Sequence, residues 1–126
     1  MKKNKIFHFA VYGHPIGRQE PQKGKHGWFT PAKTKKYYEH IRNSFQQLYP
    51  RLNDKTHKWK LRLDIYVKGK QYADCSNVLK AYEDSLQGCI WANDKQLWDT
   101  HAVRHSAENM RGEYVDVYAE MGEEIK

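Results

Sequence analysis

Trp59-Lys60-Leu61-Arg62-Leu63-Asp64-Ile65-Tyr66-Val67 is the stretch whose reading decides the fold. Trp59, Leu61, Leu63, Ile65 and Val67 alternate with Lys60, Arg62, Asp64 and Tyr66, and Lys68 continues the polar set. Successive strand side chains point to opposite faces, so this pattern predicts a strand with one core face and one half-polar face. Downstream, in Asp74-Cys75-Ser76-Asn77-Val78-Leu79-Lys80-Ala81-Tyr82-Glu83-Asp84-Ser85-Leu86, the period changes. Val78, Leu79, Tyr82 and Leu86 recur at helical spacing, which predicts a helix from about Ser76 to Gln87, closed by Gly88.

Working outward, Lys5 to Tyr12 alternates and is rich in aromatic and β-branched residues, so it predicts a first strand. It is stopped by Gly13-His14-Pro15-Ile16-Gly17. Arg18 to Gly27 reads as a basic, mobile loop. Thr30-Pro31 predicts a helix with Thr30 as N-cap and Pro31 at the first helical position. Its buried stripe is Tyr37, Ile41, Phe45 and Leu48, with Lys33, Lys35, Lys36 and Arg42 on other faces, and Pro50 closes it. After the second helix come a short strand Cys89-Ile90-Trp91, a turn at Ala92-Asn93-Asp94 and a strand from about Leu97 to His105. Asn109-Met110-Arg111-Gly112 reads as a hairpin turn into a last strand carrying Val115, Val117, Ala119 and Met121. The expected order is β-α-β-α-β-β-β: one α/β domain over residues 1–126, in two layers, a mixed sheet with two helices on one face.

The 126-residue chain is long enough for one core and too short for two. A formal charge of +7 suits a polyanionic partner, since lysines and arginines that neutralise phosphates release condensed counterions. No apolar run approaches the roughly 20 residues that span a bilayer, and the basic start Met1-Lys2-Lys3-Asn4-Lys5 is followed by too short an apolar run for a signal peptide. The expectation is a cytoplasmic protein without membrane association. Cys75 and Cys89 form no metal or redox motif and read as reduced thiols. A P-loop and a dinucleotide fingerprint are both absent, so no nucleotide cofactor is expected, and no Ser/His/Asp or Cys/His arrangement stands out. His101 and His105 read as ordinary strand histidines.

Chemistry concentrates on the second helix. Asn77, Lys80 and Asp84 fall at i, i+3 and i+7 and line one face, with Asp74 at the helix mouth. The strand that follows can bring Asn93-Asp94 back toward the helix start. Singly, these are a solvated helix face, a weak surface ion pair and a turn. Together they supply what Mg²⁺-assisted phosphodiester hydrolysis needs: carboxylates converging on a hard cation that presents a water (Asp74, Asp94 and, as a third, Asp84), and a lysine, Lys80, to neutralise charge on the phosphate.

The series Asp74-Cys75-Ser76-Asn77-Val78-Leu79-Lys80, Asp84-Ser85-Leu86, Gly88, Asn93-Asp94 and Gln96 resembles the signature region of RusA-type Holliday-junction resolvases. That region runs Asp-x-Asp-Asn-x-x-Lys, then Asp-x-Leu with a glycine soon after, then an acidic pair before Gln. Gly13-His14-Pro15 and Phe29-Thr30-Pro31-Ala32-Lys33-Thr34, with Tyr37 and Glu39 following, resemble the family's N-terminal half. The resemblance implies metal-binding roles for Asp74 and Asp94 and the lysine role for Lys80. The family's second aspartate falls on Ser76, and the first residue of its acidic pair on Asn93. Both departures remove negative charge, leaving Ser76, Asn77 and Asn93 as a supporting polar shell. Implied too is a homodimer that makes paired nicks in a four-way DNA junction with Mg²⁺, for which Mn²⁺ could substitute. Arg18, Lys23, Lys25, Lys33, Lys35 and Lys36, flanking Trp28 and Phe29, would then contact DNA phosphates. Trp28 reads first as a packing residue and second as a platform for an unpaired base. Two alternatives stand beside this reading: a catalytically weakened junction-binding protein of the same fold, suggested by Ser76 and Asn93, and a basic RNA-binding module.

Overall fold

The alternating stretch forms the sheet's central strand, and both of its edges are used. The computed structural model describes residues 4–18, 22–29, 31–108 and 110–125. Its elements are β1 (Ile6–Tyr12), β2 (Gln22–Gly24), β3 (Gly27–Phe29), α1 (Ala32–Gln46), β4 (His57–Val67), α2 (Cys75–Leu86), a 3₁₀ turn (Asp94–Gln96), β5 (Leu97–Ser106) and β6 (Tyr114–Glu124). The main sheet runs β1-β6-β4-β5. β4 pairs parallel with β5 and antiparallel with β6, and β6 pairs antiparallel with β1. A parallel neighbour needs a crossover, and α2 provides it between β4 and β5. The expected mixed α/β architecture with two helices on one face is present.

Four local expectations are corrected. β5 and β6 are not a hairpin: they flank β4 on opposite sides, so the segment holding Met110–Gly112 crosses from one edge of β4 to the other. Asn109, the first residue of that expected turn, lies outside the described residues. Cys89-Ile90-Trp91 makes only isolated bridges, from Trp91 to Asp54 and to Gln87, after Gly88 turns the chain at a φ of 84°. The stretch read as a mobile loop, Arg18 to Gly27, holds β2 and the turn of the β2–β3 hairpin, in which Lys23 faces Trp28. Three-residue strands carry no periodicity to detect. Finally, α1 ends at Gln46, and Leu48 is 63% exposed, outside the stripe. Tyr49 packs there instead, edge-on to Phe7 at 5.1 Å.

The α1 start differs slightly too. Pro31 occupies the cap position in extended geometry, and its carbonyl accepts from the amides of Thr34 and Lys35. The expected Thr30 cap lies outside the described residues. Both cysteines are free thiols; burial pushes the Cys89 thiol up, although Arg42 and Arg51 pull the other way. Among the described residues no helix is long and apolar enough to cross a membrane.

The inner face of β4, with Phe7, Phe9, Val11, Val115, Val117 and Ala119, packs against Tyr37, Ile41 and Phe45 of α1 and Val78, Tyr82 and Leu86 of α2. Where the helices meet, the Tyr37 and Tyr82 hydroxyls share a buried hydrogen bond of 2.7 Å. Burial holds both phenols above their ordinary range, Tyr37 at about 12. Removing one hydroxyl strands the other without a partner. Tyr37→Phe or Tyr82→Phe alone should therefore cost about 1–2 kcal/mol in urea melts, and the double variant less than the sum of the two.

Candidate active site and nucleic-acid interface

α2 begins after β4 and the connecting segment 68–74. Asp74 takes the N-cap position with extended backbone, and its carboxylate makes no capping hydrogen bond. It is exposed, as are Ser76 and Lys80, while Asn77 is half-buried. Asn77 meets the first loop: its carbonyl accepts from the Arg18 amide at 2.9 Å. Gly17 makes this approach possible, because a Cβ there would stand 2.9 Å from the Asn77 Cβ and 3.1 Å from that of Ala73. A glycine first read as a strand breaker is thus a packing requirement.

That contact lays Arg18 along α2, where its guanidinium pairs with Asp84 at 3.3 Å. Tyr38 of α1 donates its hydroxyl to the same carboxylate at 3.4 Å. Burial and the Asp84 charge push the Tyr38 phenol up to about 12. Arg18, expected to face DNA, and Asp84, expected to face a metal, are therefore in contact with each other.

Asp94 opens the 3₁₀ turn and is exposed. The turn is held by a reciprocal cap. The Asn93 carboxamide oxygen accepts from the Lys95 amide at 2.9 Å, and the Gln96 side-chain oxygen accepts from the amides of Ala92 and Asn93 at 3.1 and 2.9 Å. Gln96 is buried, and its amide nitrogen donates to the carbonyls of Asp54 and His57 at 2.9 and 3.1 Å. Asp54 closes the anchor: one carboxylate oxygen accepts from the Trp59 indole and the His57 amide, both at 2.9 Å.

Sequence reasoning missed Glu83. It is half-buried on α2, one turn after Lys80, and burial followed by the charges of Asp84 and Asp94 raises its pKa against the opposing pull of Lys80 and Arg18. Glu83, Asp84, Asp94, Lys80 and Arg18 thus share one electrostatic neighbourhood, and a perturbed carboxylate of this kind marks functional sites more often than chance. Its i+3 spacing from Lys80 was the available signal. Among the described residues no three or more His, Cys, Asp or Glu side chains gather so as to hold a metal ion.

The basic residues expected to meet phosphates are exposed. Lys23 and Lys25 are exposed on the β2–β3 hairpin, and Lys33, Lys35 and Lys36 on the first turns of α1. Trp28 is 72% exposed on that hairpin, so its first reading as a packing residue does not hold within the chain. On the sheet face away from the helices the carboxylates of Asp64 and Asp116 are hydrogen-bonded to neighbouring side chains. Asp64 contacts Arg62 and His105 at 3.2 and 2.8 Å, and Asp116 contacts His8 at 3.0 Å.

No curated protein matches the chain. A family model, Endodeoxyribonuclease RusA, matches residues 13–118. The match runs from the glycine that ends β1, through the Gly17–Asn77 contact and the acidic neighbourhood of α2, to the middle of β6, and the chain belongs to the RusA endodeoxyribonuclease family.

Proposed function

We propose that the protein is a divalent-metal-dependent resolvase of four-way DNA junctions, acting as a homodimer through Asp74, Asp94 and Lys80. The observation that carries this reading is the acidic neighbourhood of α2 beside Lys80 and Arg18. Burial, followed by the charges of Asp84 and Asp94, raises the Glu83 pKa against the pull of Lys80 and Arg18, so the acids crowd one neighbourhood. Its donors are hard oxygens, which suit Mg²⁺, with Mn²⁺ as a substitute. Mg²⁺ commonly binds through one or two carboxylates plus substrate phosphates, so a preassembled three-residue cage is not required. Asp74 and Asp94 would hold the ion, with Asp84 as a third charge partly neutralised by Arg18. When bound, the ion supplies an activated water and Lewis-acid polarisation of the phosphate.

The chain's own groups do the rest. Lys80 offsets charge accumulating on the scissile phosphate. The lysines of the hairpin and of α1, with Arg18, hold phosphates flanking the cut, reading backbone and branch shape rather than base edges. A four-way junction is close to two-fold symmetric, so a C2 dimer presents one site to each of two opposed strands. Trp28, exposed beside Lys23, offers a face for an unpaired base at the branch. Trp28→Ala should weaken junction binding by about 1–3 kcal/mol, roughly five- to 150-fold, with little change for plain duplex, in a fluorescence-anisotropy titration.

The test is an end-labelled synthetic four-way junction incubated with the protein in Mg²⁺ and in EDTA. Symmetric nicks that require the metal support the reading, and absence of both binding and cleavage would sink it. A second reading, a binding-only member of the family, rests on Asn93, whose carboxamide is committed to capping the 3₁₀ turn where the family carries an acid. It predicts tight, chelator-insensitive binding with no nicks in any Mg²⁺ or Mn²⁺ concentration.

A further inference from the structure

At the far end of α2 from Asp74 lies a cleft of about 370 Å³ lined by Arg42, Gln46, Arg51, Gln87, Gly88 and Cys89. No carboxylate lines it. Arg51 donates from Nε to the Gly88 carbonyl at 2.7 Å, and Arg42 reaches the Ser85 carbonyl at 3.5 Å. Neither guanidinium takes part in the ion pairs found among the described residues.

The plain reading is that two arginines cap the C-terminal carbonyls of α2. The charges do not balance on that reading. A helix C-terminus carries about half a negative charge, and two guanidiniums bring two positive ones. Each guanidinium also has five N–H donors, of which the carbonyl contact engages a small part. The surplus charge and donors, in a cleft whose other side chains are two carboxamides and a thiol, match a phosphate. Position agrees with this. Lys35, Tyr38, Arg42 and Gln46 follow at three- and four-residue spacing along one stripe of α1. That stripe leads from Tyr38, bonded to Asp84, into the cleft.

We propose that this cleft is a second phosphate-binding site, where Arg42 and Arg51 hold the backbone of a DNA arm lying along α2, about 18 Å from the helix start. The anion site stands on its own geometry; that the phosphate belongs to DNA rests on the nuclease reading.

The experiment measures binding of a labelled four-way junction in EDTA across a salt series for the wild type, Arg42→Gln, Arg51→Gln, the double variant and Gln87→Glu. Gln87 is exposed and makes neither carbonyl contact, so Gln87→Glu adds negative charge to the cleft without disturbing the caps. Each arginine variant should flatten the plot of log K against log salt by about 1, and the double variant by about 2. Gln87→Glu should weaken binding at low salt while its melting temperature stays within a degree or two. Nicking at saturating junction should change less than twofold in all of them. Lower melting temperatures with an unchanged salt slope would assign the arginines to capping alone and overturn the proposal. So would stabilisation by inorganic phosphate that the double variant loses while the slope stays at the wild-type value, since the ligand would then be a free phosphate. A wild type that binds with the full slope but makes no nicks in Mg²⁺ would remove the nuclease reading and leave the cleft assignment intact.

Discussion

Asp74→Asn should bind a four-way junction as tightly as the wild type, or slightly tighter, and nick it about a thousandfold more slowly or not at all. The side chain is exposed at the N-cap of α2, makes no capping hydrogen bond and sits among neither core nor ion-pair partners in the described structure. Its loss therefore costs the fold little, and melting temperatures should agree within a few degrees. On the proposed reading binding rests on phosphate contacts of the lysines and arginines, and removing a negative charge at the DNA surface slightly favours it. On the proposed mechanism cleavage depends on an ion whose charge stabilisation of the transition state amounts to several kcal/mol, and about 1.4 kcal/mol is a factor of ten. Asp94→Asn should behave in the same way. Ser76→Asp supplies the acid that the resemblance to the resolvase signature implies at that position and should lower the Mg²⁺ concentration needed for half-maximal nicking. Gel-based single-turnover assays on labelled junctions check all three. An Asp74→Asn protein that nicks at the wild-type rate would remove Asp74 from the chemistry.

How much of this was legible in the chain depends on the range of the interactions. β4 and the two helices were, because alternation and helical spacing are local and each element buries one face in a shared core. The sheet order was not. Nothing local distinguishes a hairpin between β5 and β6 from the observed arrangement, in which both pair with β4 instead. Asp74, Lys80 and Asp94 could be singled out because a motif places them. Arg18 and Asp84 were each assigned a separate partner, yet Gly17 lets the loop approach α2 until the two meet at 3.3 Å. Glu83 drew no notice because its raised pKa arises from burial and from Asp94, which the turn after α2 brings close. Asp54 is the extreme case: it lies in an irregular segment, and its meaning comes from Gln96, 42 residues later.

Asp54→Asn should be the most destabilising single substitution of a charged residue, and its effect should fade in acid. Burial alone would raise the Asp54 pKa, but hydrogen bonds from the His57 ring, the Trp59 indole and the His57 amide outweigh it and hold the group at about 2, against an ordinary 3.8. A folded-state pKa below the unfolded value means stability that is fully present above pH ~4 and lost as pH falls toward 2. The shift corresponds to about 2 kcal/mol. An amide at this position adds the cost of facing one of its own N–H groups toward the indole and backbone donors, for a total of about 3 kcal/mol. In a 126-residue chain that lowers the melting temperature by roughly 10 °C at pH 7. The gap between variant and wild type should narrow steadily between pH 4 and pH 2, and a gap that stays constant there would show that the charge contributes nothing. The same substitution should reach the reaction. Asp54 accepts from Gln96, which in turn fixes the amides of Ala92 and Asn93 and with them the turn that presents Asp94. Groups that orient a metal-binding carboxylate typically contribute ten- to a hundredfold in metal affinity. Below its melting transition, Asp54→Asn should therefore need about tenfold more Mg²⁺ for half-maximal nicking while retaining the wild-type rate at saturation. A reduced rate that added Mg²⁺ does not restore would place the effect of Asp54 elsewhere than in the positioning of Asp94.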